Sequence, residues 1–441
     1  MTLADIGAEA APREHLIDAD GRVYAGWRST FGATAALSVG ASTSTIMCFG
    51  VFVPYLHRAF GWGIGAIALA ATLLSISIMV ISPIQGALVD RFGARRIIMI
   101  SIPLFGLGYA AMSQLSGDIN QFYLMWVLVP LLGFGVWPSS YIKVVTGWFD
   151  QRLGLAIGVA NIGIGIGSVV LPAMIGAVAN AYGWRMAYVA VGVLSVVIAW
   201  PCAYCFVFER NRPARVQGDS PGEPAPAQRS GAMVGVSVRE AWADASFWKI
   251  LISFLLLGAG STTLLVNQVA ILVDNGMPVP SAVVMQSVIG VSTLCARLFV
   301  GWLLDRVAVK RVMPILSLSG AAAMLLYASG ATGMTAALCA VLIGIMTGAE
   351  FNVLGYALRR YFGPRVLGTL FGTAFAVFQL GGAIATGLVG YARGHTGSYQ
   401  TSLYFLAAVT ALTAVLMCTL GRYRFLDRRP PAPIEAQSAS A

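Results

Sequence analysis

The sequence predicts an all-α membrane protein with twelve transmembrane helices, arranged as two pseudo-symmetric six-helix bundles around a central cavity. Three observations support this fold class. Of 441 residues, 58% are hydrophobic and only 10% are charged, whereas soluble domains carry about 25% charged residues. Long apolar runs with almost no charge recur along the chain, as expected for helices that cross a bilayer. A charged motif between two such runs occurs twice, which indicates two related halves.

The apolar runs define the spans in chain order. Each run is long enough to cross about 30 Å of hydrocarbon as an α-helix. The twelve predicted spans are 30–56, 65–89, 97–115, 121–146, 153–179, 185–208, 247–273, 281–304, 312–331, 335–358, 366–392 and 399–420.

The remaining segments divide the chain into domains. Residues 1–28 are polar and mixed in charge without an apolar core, so we expect a cytoplasmic tail and not a cleavable signal. Residues 209–246 are rich in Arg, Pro, Gly, Ser and Asp, which predicts a solvated cytoplasmic linker. It would join a bundle at 29–208 to a bundle at 247–420, and a second cytoplasmic tail would follow at 421–441.

The distribution of cations predicts the orientation in the membrane. With the amino terminus inside, cytoplasmic segments hold 23 of the 28 Lys and Arg, and the opposite loops hold only Arg58, Arg185 and Arg393. This asymmetry follows the positive-inside rule and places both termini in the cytoplasm, in a protein of the plasma membrane. The net charge of +10 then faces anionic lipid, so a nucleic-acid partner is unnecessary.

The repeated motif lies between spans 2 and 3 and again between spans 8 and 9. In both copies Asp-Arg comes four residues after a Gly, and adjacent cations precede the next apolar run. We expect these two hinges to hold one end of the molecule closed through ion pairs with neighbouring helix ends. The predicted gating residues are Gly86, Asp90, Arg91, Arg96, Gly301, Asp305 and Arg306.

Two cations that the loop count leaves unassigned, and one acid, lie inside predicted spans. Arg297 lies in span 8, Lys143 near the cytoplasmic end of span 4 and Glu350 near the middle of span 10. A charge at that depth is costly unless it is paired or faces a cavity, so each is a functional candidate. Structural alternatives remain open. Arg297 could pair with an acid, Lys143 could extend to the interface, and Glu350 could pair with Arg297 or stay protonated.

Glycine patterns and two amides mark helix contacts. Gly154, Gly158 and Gly167 in span 5 repeat 214 residues later in span 11 as Gly368, Gly372 and Gly381. Glycines four residues apart allow close helix approach in lipid, so we interpret them as packing or rocking contacts. Asn161 and Gln379 interrupt these faces, and both are expected to face a partner helix or the cavity.

The motif G-x-x-x-D-R-x-G-x-R-R resembles the loop signature of the major facilitator superfamily. The stretches around Tyr141-x-Lys143 and Gly348-Ala-Glu350-Phe-Asn352 resemble its bacterial monocarboxylate-transporter-like branch, which is related to oxalate/formate antiporters. The resemblance implies alternating access and an Arg on span 8, here Arg297, that receives a substrate carboxylate. The oxalate/formate type also carries a Lys on span 11. This chain has Gln379 there, which argues against a dianion. Many relatives have Asp in place of Asn352.

The sequence therefore predicts a secondary active transporter for a small organic anion of the monocarboxylate type, coupled to protons. The alternatives are exchange or export of larger or aromatic carboxylates, or a membrane sensor. An enzyme, a metal and a cofactor are not expected, because the three His lie in tails or external ends and no phosphate loop appears. The protein is expected to be a monomer. The predicted proton-coupling residue is Glu350, and the predicted substrate-binding residues are Arg297, Lys143, Tyr141, Asn161, Gln379 and Asn352.

Overall fold

The computed structural model describes residues 23–209 and 235–421, with positions 16 and 423. Ten of the predicted spans are apolar helices long enough to cross a membrane. The ten, spans 2, 3 and 5 to 12, are Gly65–Phe92, Ala94–Gln114, Leu153–Tyr182, Trp184–Phe206, Ala245–Asp274, Val279–Leu304, Val309–Ala328, Gly333–Phe362, Leu367–Thr396 and Gln400–Cys418.

Spans 1 and 4 are interrupted, which the sequence analysis did not anticipate. Span 1 consists of Ala25–Met47 and Phe49–Phe60, bent by 49°. Span 4 consists of Ile119–Leu132 and Pro138–Trp148 around a short 3₁₀ turn. Proline explains the break in span 4, because Pro138 lacks a main-chain N–H and therefore suits the first turn of a new helix.

The bend in span 1 follows a π-helical turn at Ser42–Met47. Such a turn leaves main-chain carbonyls without their usual helical donors. Hydroxyl groups take over this role: Thr43 donates to the carbonyl of Leu37, and Ser195 of span 6 donates to that of Val39. The irregular backbone is thus hydrogen-bonded inside the bundle, as the apolar environment requires.

The predicted tails and linker are only partly described. The first helix begins at Ala25, inside the predicted tail 1–28. Within the predicted linker, Val238–Trp242 forms a short helix capped by Ser237 and Glu240, and residues 210–234 lie outside the described residues. The domain boundaries remain predictions.

The two halves meet mainly through two pairs of helices. Span 2 packs against span 11, and span 5 packs against span 8. These pairs are equivalent, because span 2 of the first half corresponds to span 8 of the second, and span 5 corresponds to span 11. The predicted pseudo-symmetry is therefore visible in how the bundles touch.

The repeated glycines explain how these helices come so close. A Cβ atom on Gly158 would lie 2.5 Å from the carbonyl oxygen of Arg297 in span 8, and one on Gly372 would lie 2.1 Å from that of Ser82 in span 2. Gly167 and Gly381 instead contact spans 1 and 7 of their own bundles. In each half, two glycines therefore serve the contact between bundles and the third serves the contact within a bundle.

The outer surface is apolar, as a surface in contact with lipid must be. Large aliphatic and aromatic side chains on several spans are 65–68% exposed. A soluble protein would bury most such residues. Examples are Leu107, Val169, Val266 and Phe405.

Candidate substrate site and hinges

Arg297 brings a positive charge to the contact between the two bundles. It lies about 12 Å before Asp305 along span 8, at 1.5 Å per residue, and its side chain is half-buried. Its Nη1 donates to the main-chain oxygen of Asn161 in span 5 at 2.5 Å. Its Nε is buried and has no hydrogen-bond partner among the described residues. The guanidinium therefore keeps hydrogen-bonding capacity for a further acceptor.

Two asparagines connect Arg297 to both bundles. The Nδ2 of Asn352 in span 10 donates to the main-chain oxygen of Arg297 at 2.8 Å. The Nδ2 of Asn161 donates to Oδ1 of Asn352 at 2.7 Å. Together with the bond from Arg297 to Asn161, these contacts close a ring of three residues, which we call the Arg–Asn ring. The structure thus brings three of the predicted substrate-binding residues together.

Glu350 lies near this ring but points elsewhere. It is 5% exposed, and its Oε2 accepts a hydrogen bond from Ser261 of span 7 at 2.9 Å. Ser261 was not among the predicted site residues, because a serine in an apolar run gives no distinctive signal. Within the described part of the chain Glu350 forms no ion pair, so the alternative of a direct bridge to Arg297 does not occur in this conformation.

The other three predicted substrate-binding residues lie apart from the Arg–Asn ring. Lys143 is buried and forms an ion pair with Asp90, and so it neither extends to the interface nor contacts the ring. Tyr141 is fully buried, and its hydroxyl has no partner among the described residues. Gln379 is half-buried in span 11, with no side-chain hydrogen bond to a described residue.

The first hinge is built on Asp90 at the end of span 2. Its Oδ1 accepts a hydrogen bond from the N–H of Gly368 at 3.0 Å, and its Oδ2 accepts one from that of Thr369 at 2.7 Å. The Thr369 hydroxyl adds a third bond at 2.7 Å. Asp90 thus caps the amino terminus of span 11 in the other bundle, where unpaired N–H groups and the helix dipole favour a carboxylate.

The second hinge repeats this arrangement. Asp305 at the end of span 8 accepts hydrogen bonds from the N–H groups of Gly154 at 2.6 Å and Leu155 at 2.9 Å. These groups begin span 5. Gly86 and Gly301 let the backbones meet, because a Cβ atom on either would lie within 2.5 Å of an oxygen in the opposite bundle. We refer to the end of the molecule that carries Asp90 and Asp305 as the hinge end.

The arginines of the motif do not bridge the bundles. Arg91, Arg96 and Arg306 are exposed, and Arg306 stacks on Trp302 near the end of span 8, with 3.9 Å from Cζ to the ring centre. The expected ion pairs with helix ends are therefore carboxylate caps on helix amino termini, and Lys143 forms an ion pair with the hinge residue Asp90.

A further contact at the hinge end was missed by the sequence analysis. Arg359 at the end of span 10 pairs with Asp150 in the loop between spans 4 and 5, with Nη2 3.3 Å from Oδ1. Arg360 donates to the main-chain oxygen of Asp150. Cations at the cytoplasmic ends of helices are expected from topology alone. Nothing in the sequence therefore indicated that Arg359 and Arg360 connect the two bundles.

Comparison with known proteins agrees with this architecture. The chain is 27% identical over 401 residues to an uncharacterised 38 kDa protein of Thermoproteus tenax, covering 88% of this chain and 97% of the relative. It is 26% identical over 398 residues to mouse monocarboxylate transporter 11, covering 86% and 83%. The fold matches Escherichia coli FucP, solved in the outward conformation, with a TM-score of 0.65, 16% identity and coverage of 89% and 99%.

The family assignment rests on most of the chain. The sequence model of the Major Facilitator Superfamily matches residues 34–338 and 252–440. The predicted fold class, with two six-helix bundles, is confirmed. The twin hinges, the glycine contacts and these matches lead to one conclusion: the chain belongs to the major facilitator superfamily of membrane transporters.

Proposed function

We propose that this protein is a secondary active transporter that moves a small monocarboxylate-type anion by alternating access, coupled to protons. The observation that carries the proposal is the guanidinium of Arg297, which lies between the bundles and forms no ion pair with a described residue. A cation within a transmembrane helix is costly to keep without a counter-charge. A substrate carboxylate would supply that charge.

The chemistry of the site favours a single carboxylate. The planar guanidinium can bind two carboxylate oxygens at once and remains charged at all physiological pH values. Lys143 is already paired with Asp90, and Gln379 is neutral. A dianion would therefore have one charge without a partner. Similarity to mouse monocarboxylate transporter 11 supports the same substrate class.

Glu350 is our candidate for the proton. It is a buried acid whose side-chain hydrogen bond in this conformation comes from the neutral hydroxyl of Ser261. Glu350 lies beside Arg297 inside the membrane-spanning region, so gain and loss of a proton there would change the charge balance at the site. Binding of the anion and binding of the proton are then linked, because each event alters the free energy of the other.

The hinges supply the conformational part of the proposal. In this structure Asp90 and Asp305 hold the hinge end closed. The distribution of cations in the sequence assigns the hinge end to the cytoplasm. Rocking of one bundle against the other would release both caps together, and the site would then open toward the cytoplasm.

Uptake into proteoliposomes tests the proposal. Labelled acetate, lactate, pyruvate, benzoate and oxalate are compared with and without an imposed pH gradient. We expect uptake of one or more monocarboxylates that an inwardly directed proton gradient accelerates, and little uptake of oxalate. Exchange of benzoate alone, without any effect of the gradient, would favour the alternative of an exchanger for aromatic carboxylates. Failure of every carboxylate to enter or to bind would refute the proposal.

A further inference from the structure

Hydrogen-bond directions in the Arg–Asn ring are determined by one group that can only accept. The main-chain carbonyl of Arg297 has no proton, so Asn352 must present its Nδ2 to it, at 2.8 Å. The Oδ1 of Asn352 then faces Asn161, which must present its own Nδ2, at 2.7 Å. The orientation of both amides follows from this chain of donors and acceptors without any choice.

The ring also connects the two bundles at the proposed substrate site. Asn161 belongs to span 5, whereas Arg297 and Asn352 belong to spans 8 and 10. Two of its three bonds cross between the bundles: the Arg297 guanidinium to the Asn161 carbonyl, and the Asn161 amide to Asn352. The group proposed to bind the anion is therefore one of the groups that hold the bundles together.

The ring leaves two buried polar atoms unused in this conformation. The Oδ1 of Asn161 and the Nε of Arg297 are both buried and have no hydrogen-bond partner among the described residues. Buried polar atoms in native proteins are nearly always paired, and an unpaired one weakens the arrangement that contains it. A carboxylate bound to the guanidinium would give Arg297 a further acceptor. It would also compete with the Asn161 carbonyl for the N–H groups of the guanidinium.

We propose that Asn352 is a positioning residue that couples occupancy of Arg297 to opening of the hinge end. An arriving carboxylate draws the guanidinium away from the Asn161 carbonyl and breaks one of the two bonds across the bundles. Asn352 holds the main chain of Arg297 and carries the remaining bond to Asn161. Loss of the bond from the guanidinium to the Asn161 carbonyl therefore shifts the conformational equilibrium toward separation of spans 5 and 8. This inference rests on the proposed role of Arg297 as anion receptor.

Position 352 requires an amide for this task. An ionised aspartate could accept from Asn161 but could not donate to the Arg297 carbonyl, and its charge would compete with the substrate for the guanidinium. An alanine would remove both bonds of Asn352 and would place no new charge beside the guanidinium. The two substitutions therefore differ in their effect on anion binding, because only the aspartate introduces a charge that competes with the substrate, whereas a purely structural role would make their effects alike.

The test uses a buried reporter at the contact between the bundles. Ile142 in span 4 is fully buried and faces Gly355 of span 10, where a Cβ atom would lie 2.9 Å from its Cγ2. The substitution Ile142→Cys is made in a protein whose six native cysteines are replaced by serine or alanine. The rate of maleimide labelling then reports separation of the bundles. It is measured alone and after adding acetate, lactate, pyruvate or benzoate.

We expect the anion that binds to accelerate labelling in the otherwise unmodified reporter protein. Asn352→Ala should raise the basal rate by about 2- to 12-fold, the range for loss of one net hydrogen bond, and should abolish most of the further increase caused by the anion. Asn352→Asp should weaken anion binding more than Asn352→Ala does. Asn161→Ala, which removes the amide bond from the other side, should raise the basal rate in the same direction.

Asn267→Ala is the matched control, because Asn267 donates to the Thr263 carbonyl of its own helix and does not link the bundles. Equal basal rates and equal anion responses in Asn352→Ala, Asn161→Ala and the control would overturn the inference. The proposed function fails separately if Arg297→Ala binds the anion as well as the parent. Loss of binding in Arg297→Ala, together with unchanged labelling in Asn352→Ala, would refute the coupling alone.

Discussion

At the scale of single residues, the site depends on charges that lack their usual partners. Arg297 donates to a main-chain carbonyl, and Glu350 accepts from a serine hydroxyl, but the two do not pair with each other. A direct ion pair would neutralise both and leave neither available to a ligand or a proton. Their separation on spans 8 and 10 leaves both available for the roles proposed above.

Substitution of Arg297 should distinguish the contribution of its charge to anion binding from that of its planar geometry. Arg297→Lys keeps the charge but loses the planar fork, so we expect the affinity for the carboxylate to fall at least about tenfold. Arg297→Ala should lose more, because a charge-assisted hydrogen bond contributes about 1.5–3 kcal/mol. Equilibrium binding to purified protein measures both. Unchanged affinity in a folded Arg297→Ala protein would show that the receptor lies elsewhere.

Substitution of Glu350 should separate exchange from proton coupling. Glu350→Gln mimics the protonated acid and can still accept a hydrogen bond from Ser261. We therefore expect exchange of labelled substrate across the membrane to continue while acceleration by an inward pH gradient disappears. Counterflow and gradient-driven uptake in the same proteoliposomes provide the comparison. If gradient-driven uptake survives in full, Glu350 does not carry the proton. If folding or all binding is lost, its role is structural.

At the scale of helices, glycine spacing brings the bundles into backbone contact. Gly158 and Gly372 occupy equivalent places in spans 5 and 11, and each faces a main-chain oxygen of the opposite bundle. The same two helices contain glycines with open space around the position of a Cβ atom, at Gly176 and Gly390. Glycines of the same helix therefore contact the opposite bundle at one position along the helix and have no neighbour at another.

Alanine substitutions should reveal this difference. In a helix, Gly→Ala alone stabilises by roughly 0.5–1 kcal/mol, so Gly176→Ala and Gly390→Ala should fold and transport normally. Gly158→Ala and Gly372→Ala must displace backbone, and overpacking of this kind costs about 1–3 kcal/mol. We expect these two to increase accessibility at the hinge end and to slow transport. Equal behaviour of all four variants in uptake and labelling would contradict the assignment.

At the scale of the whole molecule, closure of the hinge end depends on two carboxylates, one in each of the pseudo-symmetric bundles. Asp90 caps span 11 and Asp305 caps span 5, so each bundle supplies a cap to the other. Asp90 also neutralises Lys143, which is buried. Closing one end of the molecule thus satisfies helix termini that would otherwise need water, and opening it exposes both sets of N–H groups together.

Neutralising the caps should shift the conformational equilibrium while anion binding persists. Asp90→Asn removes the charge from the span 11 terminus and leaves Lys143 without its partner, and loss of one partner of a buried pair costs about 3–5 kcal/mol. Asp305→Asn removes a charge–dipole interaction of about 0.3–2 kcal/mol. Cysteine accessibility from both sides of the membrane should report a more open hinge end, more so for Asp90→Asn. Unchanged accessibility in both variants would show that the motif does not control the conformational equilibrium and marks only the orientation of the helices in the membrane.

Much of the candidate site could be predicted residue by residue, but not its connections. Arg297 and Glu350 stand out because charge is rare in an apolar run, and Asn161 and Asn352 because amides are. The same reasoning placed Lys143 beside the substrate, whereas the structure pairs it with Asp90. Ser261 and the tie from Arg359 to Asp150 went unnoticed, since hydroxyls and interfacial cations are ordinary in such sequences.

What the sequence by itself determined is the set of spans, their division into two related halves, and the residue types at the hinges. These follow from local requirements, because a bilayer demands long apolar helices and the motifs of the first half recur in the sequence of the second. Only the tertiary structure decided that Asp90 caps span 11, that Asp305 caps span 5, and that Arg297 shares a ring with two asparagines. Those partners lie more than 50 residues apart in the chain, and only the packing of one helix against another brings their polar atoms within hydrogen-bonding distance.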